Sequence, residues 1–149
     1  MSIFFVDTST LAKRYLAEAG SAWVQSWIVP SAGNMIVVSE IALAEVRSLL
    51  ARRVREGLPL NDANSAKLAF LLHMRREYQV IALKRRGLVT AGDLTEKYPL
   101  RTLDAIHLAA ALQMRSSLAL PVIFITADKH QAAAAASEGF AVDDANAHP

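Results

Sequence analysis

Four short apolar segments, separated by stretches with helical periodicity, constrain the fold of this chain more than any other feature. Each segment has the length of a buried strand and gives way to polar or helix-forming residues. Strands that alternate with helices are typical of α/β domains, in which helices cover a parallel sheet. We therefore predict a parallel, twisted sheet of about four to five strands, flanked by helices. The predicted strands are Ile3–Val6, Met35–Val38, Val122–Ile125 and Phe140–Val142.

The segments between these strands predict six helices. Glycines follow three of them, as expected at helix ends. The segment Leu88–Lys97 fits either a short strand or a further helical turn. The chain has 149 residues, 53% of them hydrophobic, which suits a single domain over residues 1–149 with a loose tail at 143–149. The predicted helices are Thr8–Ala19, Ser21 to near Pro30, Glu40–Glu56 capped by Ser39, Asn61 or Asp62 to beyond Arg76, Thr102–Arg115 and Lys129–Glu138.

The composition excludes several kinds of site. The chain has no cysteine, which excludes disulfides, thiolate zinc sites, iron–sulfur clusters and cysteine nucleophiles. The longest uncharged stretch, Ala19–Ser39, contains glycine, proline and several polar residues, so we expect no membrane span. Asp7 interrupts the apolar start of the chain, which does not resemble a signal peptide. We expect a cytoplasmic protein.

Two aspartates follow predicted strands directly. Asp7 comes after Ile3–Val6, and Asp128 follows Val122–Ile125 after two small residues. Both positions also suit a helix N-cap, so this alternative stays open for each residue. Because parallel strands end at the same edge of a sheet, the two carboxylates are expected to lie near each other.

Two further acids lie on predicted helices, one on the apolar face and one at its border. At about 100° per residue, Glu45 falls between Ile41 and Leu49 on the apolar face of its helix. A glutamate there needs a partner, either a metal ion or a nearby arginine. Asp104 falls in the first turn of its helix, at the border of the apolar face. His107 lies near the centre of that face and is interpreted as a buried structural histidine.

Convergence of these four acids would create a site for a hard cation. Carboxylates about 4 Å apart repel each other by several kcal/mol, so a cluster requires protons or cations. Oxygen ligands without cysteine favour Mg²⁺ or Mn²⁺ over zinc. Such an ion supports phosphodiester hydrolysis.

Basic charge is concentrated in the middle of the chain. Four arginines follow Glu45, and the segment Lys67–Arg86 carries six basic residues and one acid. Such residues bind an RNA backbone when they border a catalytic site, and otherwise form a solvated helix face. The four candidate RNA-binding residues are Arg47, Arg52, Arg53 and Arg55.

Four short strings, in this order and spacing, resemble the PIN-domain family, and specifically its VapC-type toxin ribonucleases. They extend over nearly the whole chain, from Ile3 to about Val142. The second acid of the family motif corresponds to Glu45, which the helical wheel selects independently. The strings are Phe5–Ser9, Ser39–Val46, Leu103–Ala111 and Ile125–Asp128.

The resemblance implies a single PIN-like domain with a specific site and activity. Its metal ligands and catalytic residues would be Asp7, Glu45, Asp104 and Asp128. Ser9 and Thr126 would help to orient them. The activity implied is that of a Mg²⁺- or Mn²⁺-dependent endoribonuclease that cleaves structured RNA such as tRNA or rRNA. Such proteins are usually dimers that a small cognate antitoxin holds inactive.

Three alternatives bear on this interpretation. A PIN fold without catalysis would only bind RNA or protein, but all four acids are present. A receiver-like phosphoacceptor needs a suitably placed lysine, and Lys129 follows Asp128 too closely. Glycine-rich nucleotide loops are absent.

The first two predicted helices also carry four large apolar residues, Leu11, Tyr15, Trp23 and Trp27. These residues form either part of an antitoxin groove or ordinary core.

Overall fold

The computed structural model describes all 149 residues as one α/β domain around a five-stranded sheet. The strand order is β3-β2-β1-β4-β5, and every neighbouring pair is parallel. The central position of β1 places the residue after it at the middle of one sheet edge. The predicted α/β architecture is confirmed. The strands are β1 Ile3–Val6, β2 Met35–Ser39, β3 Gln79–Ile81, β4 Val122–Ile125 and β5 Ala141–Asp143.

Seven helices connect and cover the strands, with three short 3₁₀ turns at residues 12–14, 30–32 and 145–147. The region 88–97, which the sequence leaves open between strand and helix, is part of a helix. The helices are α1 Thr8–Leu11, α2 Ser21–Ile28, α3 Ala42–Arg55, α4 Leu60–Arg76, α5 Arg85–Lys97, α6 Thr102–Ser117 and α7 Lys129–Ser137.

The sheet separates two apolar cores because successive strand side chains point to opposite faces. Phe5 of β1 packs in one core with α5, α6 and α7. Val6, the next residue, packs in the other core with α2, α3 and α4. This double coverage explains why the strands are almost uniformly apolar. It also leaves the strand ends as the place where polar side chains gather.

The first and last segments differ from the prediction. Helix α1 spans only Thr8–Leu11 and continues as a 3₁₀ turn to Arg14, short of the predicted end at Ala19. The tail is not loose: Ala145 is fully buried and lies against Gly20, which has a φ of 87° and no room for a Cβ. The tail and the start of α2 therefore pack together.

One further strand and two further boundaries differ from the prediction. Strand β3 was not predicted, since Gln79–Ile81 is too short and too exposed to give a pattern. Ser39 ends β2 instead of capping a helix, and its hydroxyl accepts a hydrogen bond from the Ile41 amide at 3.3 Å. Helix α3 begins only at Ala42.

No helix is both long and apolar enough to cross a membrane.

Candidate active site

Asp7 lies at the carboxyl end of the central strand and is almost completely buried. It caps α1, since Oδ2 accepts hydrogen bonds from the Ser9 amide at 3.2 Å and the Ser9 hydroxyl at 2.7 Å. The capping alternative is therefore correct for this residue. Its other oxygen, Oδ1, is not used by the cap and lies 3.5 Å from His107 Nε2 and 3.4 Å from Gln131 Nε2. Capping thus leaves one carboxylate oxygen turned towards the other polar side chains.

Ser9 and Thr126 join the ends of β1 and β4. The Ser9 hydroxyl also accepts a hydrogen bond from the Ala127 amide at 3.1 Å. The Thr126 hydroxyl donates to Gln131 Oε1 at 2.6 Å and lies 3.4 Å from Asp7 Oδ2. Both residues are therefore placed to fix the orientation of the Asp7 carboxylate.

Glu45 projects from the first turn of α3 towards the same place, as the helical wheel predicts. Its side chain is 21% exposed. Oε1 accepts a hydrogen bond from the Thr8 hydroxyl at 2.9 Å and contacts His107 Nε2. No arginine pairs with Glu45, so the partner that its position requires is a histidine.

His107 lies fully buried between two carboxylates. Nε2 contacts Glu45 and lies 3.3 Å from the Thr8 hydroxyl, whereas Nδ1 has no hydrogen-bond partner. Burial disfavours the charged ring, but the negative charges of Asp7 and Glu45 outweigh burial and raise the pKa of His107. The interpretation as a buried histidine is correct in position, and the ring also contacts two carboxylates of the site.

Asp104 is half-buried in the first turn of α6. Burial, together with the charges of Asp7 and Asp128, raises the pKa of Asp104 to about 6. The neighbouring carboxylates thus add to the effect of burial. Perturbed pKa values of this kind are common at functional sites.

Asp128 caps α7 by accepting a hydrogen bond from the Gln131 amide at 2.8 Å. The side chain of Gln131, which no pattern in the sequence indicates, connects Asp7 with the backbone of Asp104. Its Nε2 donates to the Asp104 carbonyl oxygen at 3.1 Å and lies near Asp7. Gln131 is fully buried. A glutamine one turn into a helix gives no sequence signal, because only the tertiary fold brings it to the strand ends.

Three of the four acids open onto one cavity of about 540 Å³. Asp7, Glu45 and Asp104 line it, and Asp128 does not. In the present side-chain conformations, no three acids or histidines form a group that could hold a metal ion. The donor chemistry nevertheless fits Mg²⁺ or Mn²⁺, since these are carboxylate oxygens on one cavity wall with a surplus of negative charge.

The four predicted arginines separate into different environments. Arg52 lines the acidic cavity. Arg53 forms an ion pair with Glu18 at 3.1 Å. Arg47 and Arg55 line a neighbouring groove between α3 and α4. The sequence analysis missed Arg101, which lines the acidic cavity and directly precedes the Thr102–Leu103–Asp104 segment.

The apolar residues proposed for an antitoxin groove belong mostly to the core. Leu11 and Trp27 are buried. The Tyr15 hydroxyl bonds to His73 and Tyr78 inside the fold. Trp23 is partly covered by the ring of His148, with ring centroids 4.1 Å apart. Ordinary core packing therefore accounts for Leu11, Tyr15 and Trp27.

The family model for the PIN domain matches residues 4–137 of the chain. The chain belongs to the PIN-domain family. This PIN domain shares its fold with PAE2754 from Pyrobaculum aerophilum, at 18% identity and a TM-score of 0.67 over 98% of this chain and 85% of that chain. No curated protein sequence matches the chain.

Two other solved structures with this fold come from toxin–antitoxin systems. VapC20 from Mycobacterium tuberculosis, described as a sarcin-ricin loop cleaving toxin, is 17% identical with a TM-score of 0.64, over 98% of this chain and 99% of that chain. VapBC2 from Rickettsia felis, solved with a promoter DNA fragment, is 13% identical with a TM-score of 0.63, over 95% of this chain and 98% of that chain. At these identities, the similarity establishes the common fold.

Proposed function

We propose that this PIN domain is a Mg²⁺- or Mn²⁺-dependent endoribonuclease and the toxin of a toxin–antitoxin pair. The observation that carries the proposal is the cavity at the end of the central strand, where Asp7, Glu45 and Asp104 face Arg52 and Arg101. A cation held by the acids would supply the chemistry of metal-assisted phosphodiester hydrolysis, and the arginines would position the phosphates. Two solved structures with this fold, VapBC2 and the toxin VapC20, support the toxin role.

Asp7, Glu45 and Asp104 would hold the ion, with Asp128 adding negative charge from the neighbouring helix start. When bound, the ion would lower the pKa of a water molecule and polarise a phosphate oxygen. Ser9 and Thr126 orient Asp7, and Thr8 with His107 orients Glu45.

Arg52 and Arg101 would position the RNA. They stand on the same cavity as the acids, so a phosphate held by their guanidinium groups lies beside the carboxylates. Such contacts position a nucleic acid without reading its sequence. We propose a structured RNA, such as tRNA or rRNA, as substrate, in line with the RNA-loop cleavage ascribed to VapC20.

The proposed assembly is a cytoplasmic homodimer that a small cognate antitoxin inhibits. Solved relatives of the fold include VapBC and FitAB complexes, which supports an antitoxin partner. If a small reading frame adjoins the gene, co-expression of the two proteins tests this part. A stable complex with lower RNA cleavage supports the proposal, whereas no complex and no inhibition would exclude that partner.

The test of the activity compares wild-type protein with Asp7→Asn on total tRNA and rRNA. We expect cleavage with millimolar Mg²⁺ or Mn²⁺, none with a chelator, and none with the variant. Asp62→Asn, an exposed acid on α4, is the matched control and should cleave normally. RNA binding without hydrolysis under every metal condition would instead favour the noncatalytic scaffold.

A further inference from the structure

A second cavity lies between α3 and α4 and has a volume of about 650 Å³. Its floor is aliphatic, formed mainly by Leu50 and Val54, and the exposed Leu60 extends the apolar surface at its edge. Its rim carries Arg47, Arg55 and Lys67, which we call the groove cations. No acidic residue lines the groove. An apolar floor with a cationic rim fits a ligand that combines a flat apolar part with negative charge.

The groove adjoins the acidic cavity. Ala44 and Ser48, on successive turns of α3, line both of them. These residues are small and therefore form a low ridge between the two spaces. A polymer bound across the acidic cavity reaches the groove without leaving the protein surface.

The groove cations are not neutralised within the protein. None of the three forms an ion pair, whereas Arg53 on the same helix pairs with Glu18. Unpaired cations around an apolar floor attract an anion more strongly than cations already paired. An acidic protein segment would also be attracted by these cations. The position of the groove beside the phosphate-binding cavity favours RNA instead.

We propose that the groove between α3 and α4 binds a nucleotide flanking the cleaved phosphate of the RNA. The inference rests on the proposed ribonuclease function and adds a subsite to it. The base would lie against Leu50, Val54 and Leu60, and its phosphate would contact Arg47 or Arg55. Base contacts of this kind tolerate any sequence, because every base has an apolar face.

The first experiment measures the affinity of single-stranded oligouridylates of increasing length by fluorescence anisotropy, with all proteins carrying Asp7→Asn to prevent cleavage. Arg47→Ala combined with Arg55→Ala should reduce the affinity gained between dinucleotide and hexanucleotide by about tenfold. The salt dependence of binding should fall by about 0.7 log units per lost phosphate contact. The control, Arg75→Ala with Arg76→Ala, removes the same charge from exposed positions at the end of α4 and should change neither quantity.

The second experiment tests the apolar floor. Leu60→Asp places a carboxylate in the groove, whereas Leu68→Asp places one on an equally exposed position of α4 outside it. Leu60→Asp should weaken hexanucleotide binding several-fold more than Leu68→Asp. Equal effects of the two variants would show general charge repulsion and contradict the subsite.

Three further outcomes separate the inference from the function on which it rests. If the wild-type protein cleaves RNA and the groove variants bind like their controls, the subsite is wrong and the ribonuclease function stands. If they instead change the sedimentation coefficient and leave RNA affinity unchanged, the groove is a protein interface and the inference fails. If the wild-type protein neither binds nor cleaves RNA, the proposed function fails as well.

Discussion

Two largely buried polar networks, one at each end of the segment that contains α1, show how differently this fold treats charge. One joins Arg14, Tyr15, His73, Glu77 and Tyr78, and we call it the tyrosine network. It has one cation and one anion, Arg14 and Glu77, paired at 2.8 Å. The other joins His107 to Asp7 and Glu45, with Asp104 and Asp128 close to them, and we call it the acidic network. Balanced charge indicates a role in stability, and surplus negative charge indicates a place for a ligand.

The tyrosine network also has a consistent order of donors. Arg14 donates to the Tyr78 hydroxyl at 2.6 Å, and the chain continues through Tyr15 to His73 Nδ1. Burial and the charge of Arg14 lower the pKa of His73, so its ring stays neutral and accepts the hydrogen bond. By contrast, His107 Nδ1 has no partner.

The largest expected difference between the networks is catalytic. Asp7→Asn should lower RNA cleavage by more than about 100-fold, since even outer partners of a metal ligand contribute 10–100-fold. The amide oxygen of asparagine can still cap α1, so the melting temperature should stay the same or rise. Cleavage assays and thermal denaturation on one preparation measure both effects. A variant that melts lower and still cleaves would show Asp7 to be a structural cap alone.

The tyrosine network should show the opposite behaviour. Arg14→Met leaves Glu77 and Tyr78 without their partner and should lower the free energy of unfolding by about 2–3 kcal/mol. Cleavage per folded molecule should not change. Urea denaturation measures the loss, with exposed Arg75→Met as control. A large fall in activity at full stability would contradict the division of roles.

His107 tests how the surplus charge is positioned. His107→Ala removes the group that holds Glu45 and should weaken Mn²⁺ binding by about tenfold, as for other partners of metal ligands. His107→Gln retains a side-chain N–H donor and should recover part of the affinity. Titration calorimetry provides the measurement. Unchanged binding in both variants would leave His107 with a packing role only.

The smallest effect concerns the pH dependence of stability without metal. The pKa of Asp104 is raised to about 6, so the folded protein binds this proton more tightly than the unfolded chain. The resulting stabilisation is complete below the ordinary carboxyl pKa and is lost as pH rises through about 6. Asp104→Asn removes this dependence and should be more stable at neutral pH by about 1 kcal/mol, because solvent screens a half-exposed carboxylate. Denaturation with a chelator from acidic to neutral pH checks the slope, and parallel curves would contradict it.

Much of the acidic network can be predicted from sequence, because the signals that indicate its residues are local. Asp7 and Asp128 stand directly beyond apolar strands, and the phase of Glu45 on α3 contradicts solvent exposure. Each signal needs only a few neighbouring residues. The predicted α/β sheet follows from the same local patterns.

The remainder depends on contacts distant in sequence. Gln131 and Arg101 reach the site only through the arrangement of α6 and α7 around β4. Strand β3 forms because Val38 and its neighbours pair with it, not because of its own composition. The tail is ordered because Ala145 packs against Gly20. No periodicity in the sequence reports such contacts.

The central claim is that the acidic network binds a divalent cation in the cavity lined by Asp7, Glu45 and Asp104. A crystal structure with Mn²⁺, with diffraction data collected at the manganese absorption edge, tests it most directly. We expect one or more anomalous peaks in this cavity, with carboxylate oxygens about 2.0–2.3 Å from the metal. Anomalous density elsewhere only, or none in this cavity at saturating Mn²⁺, would contradict it.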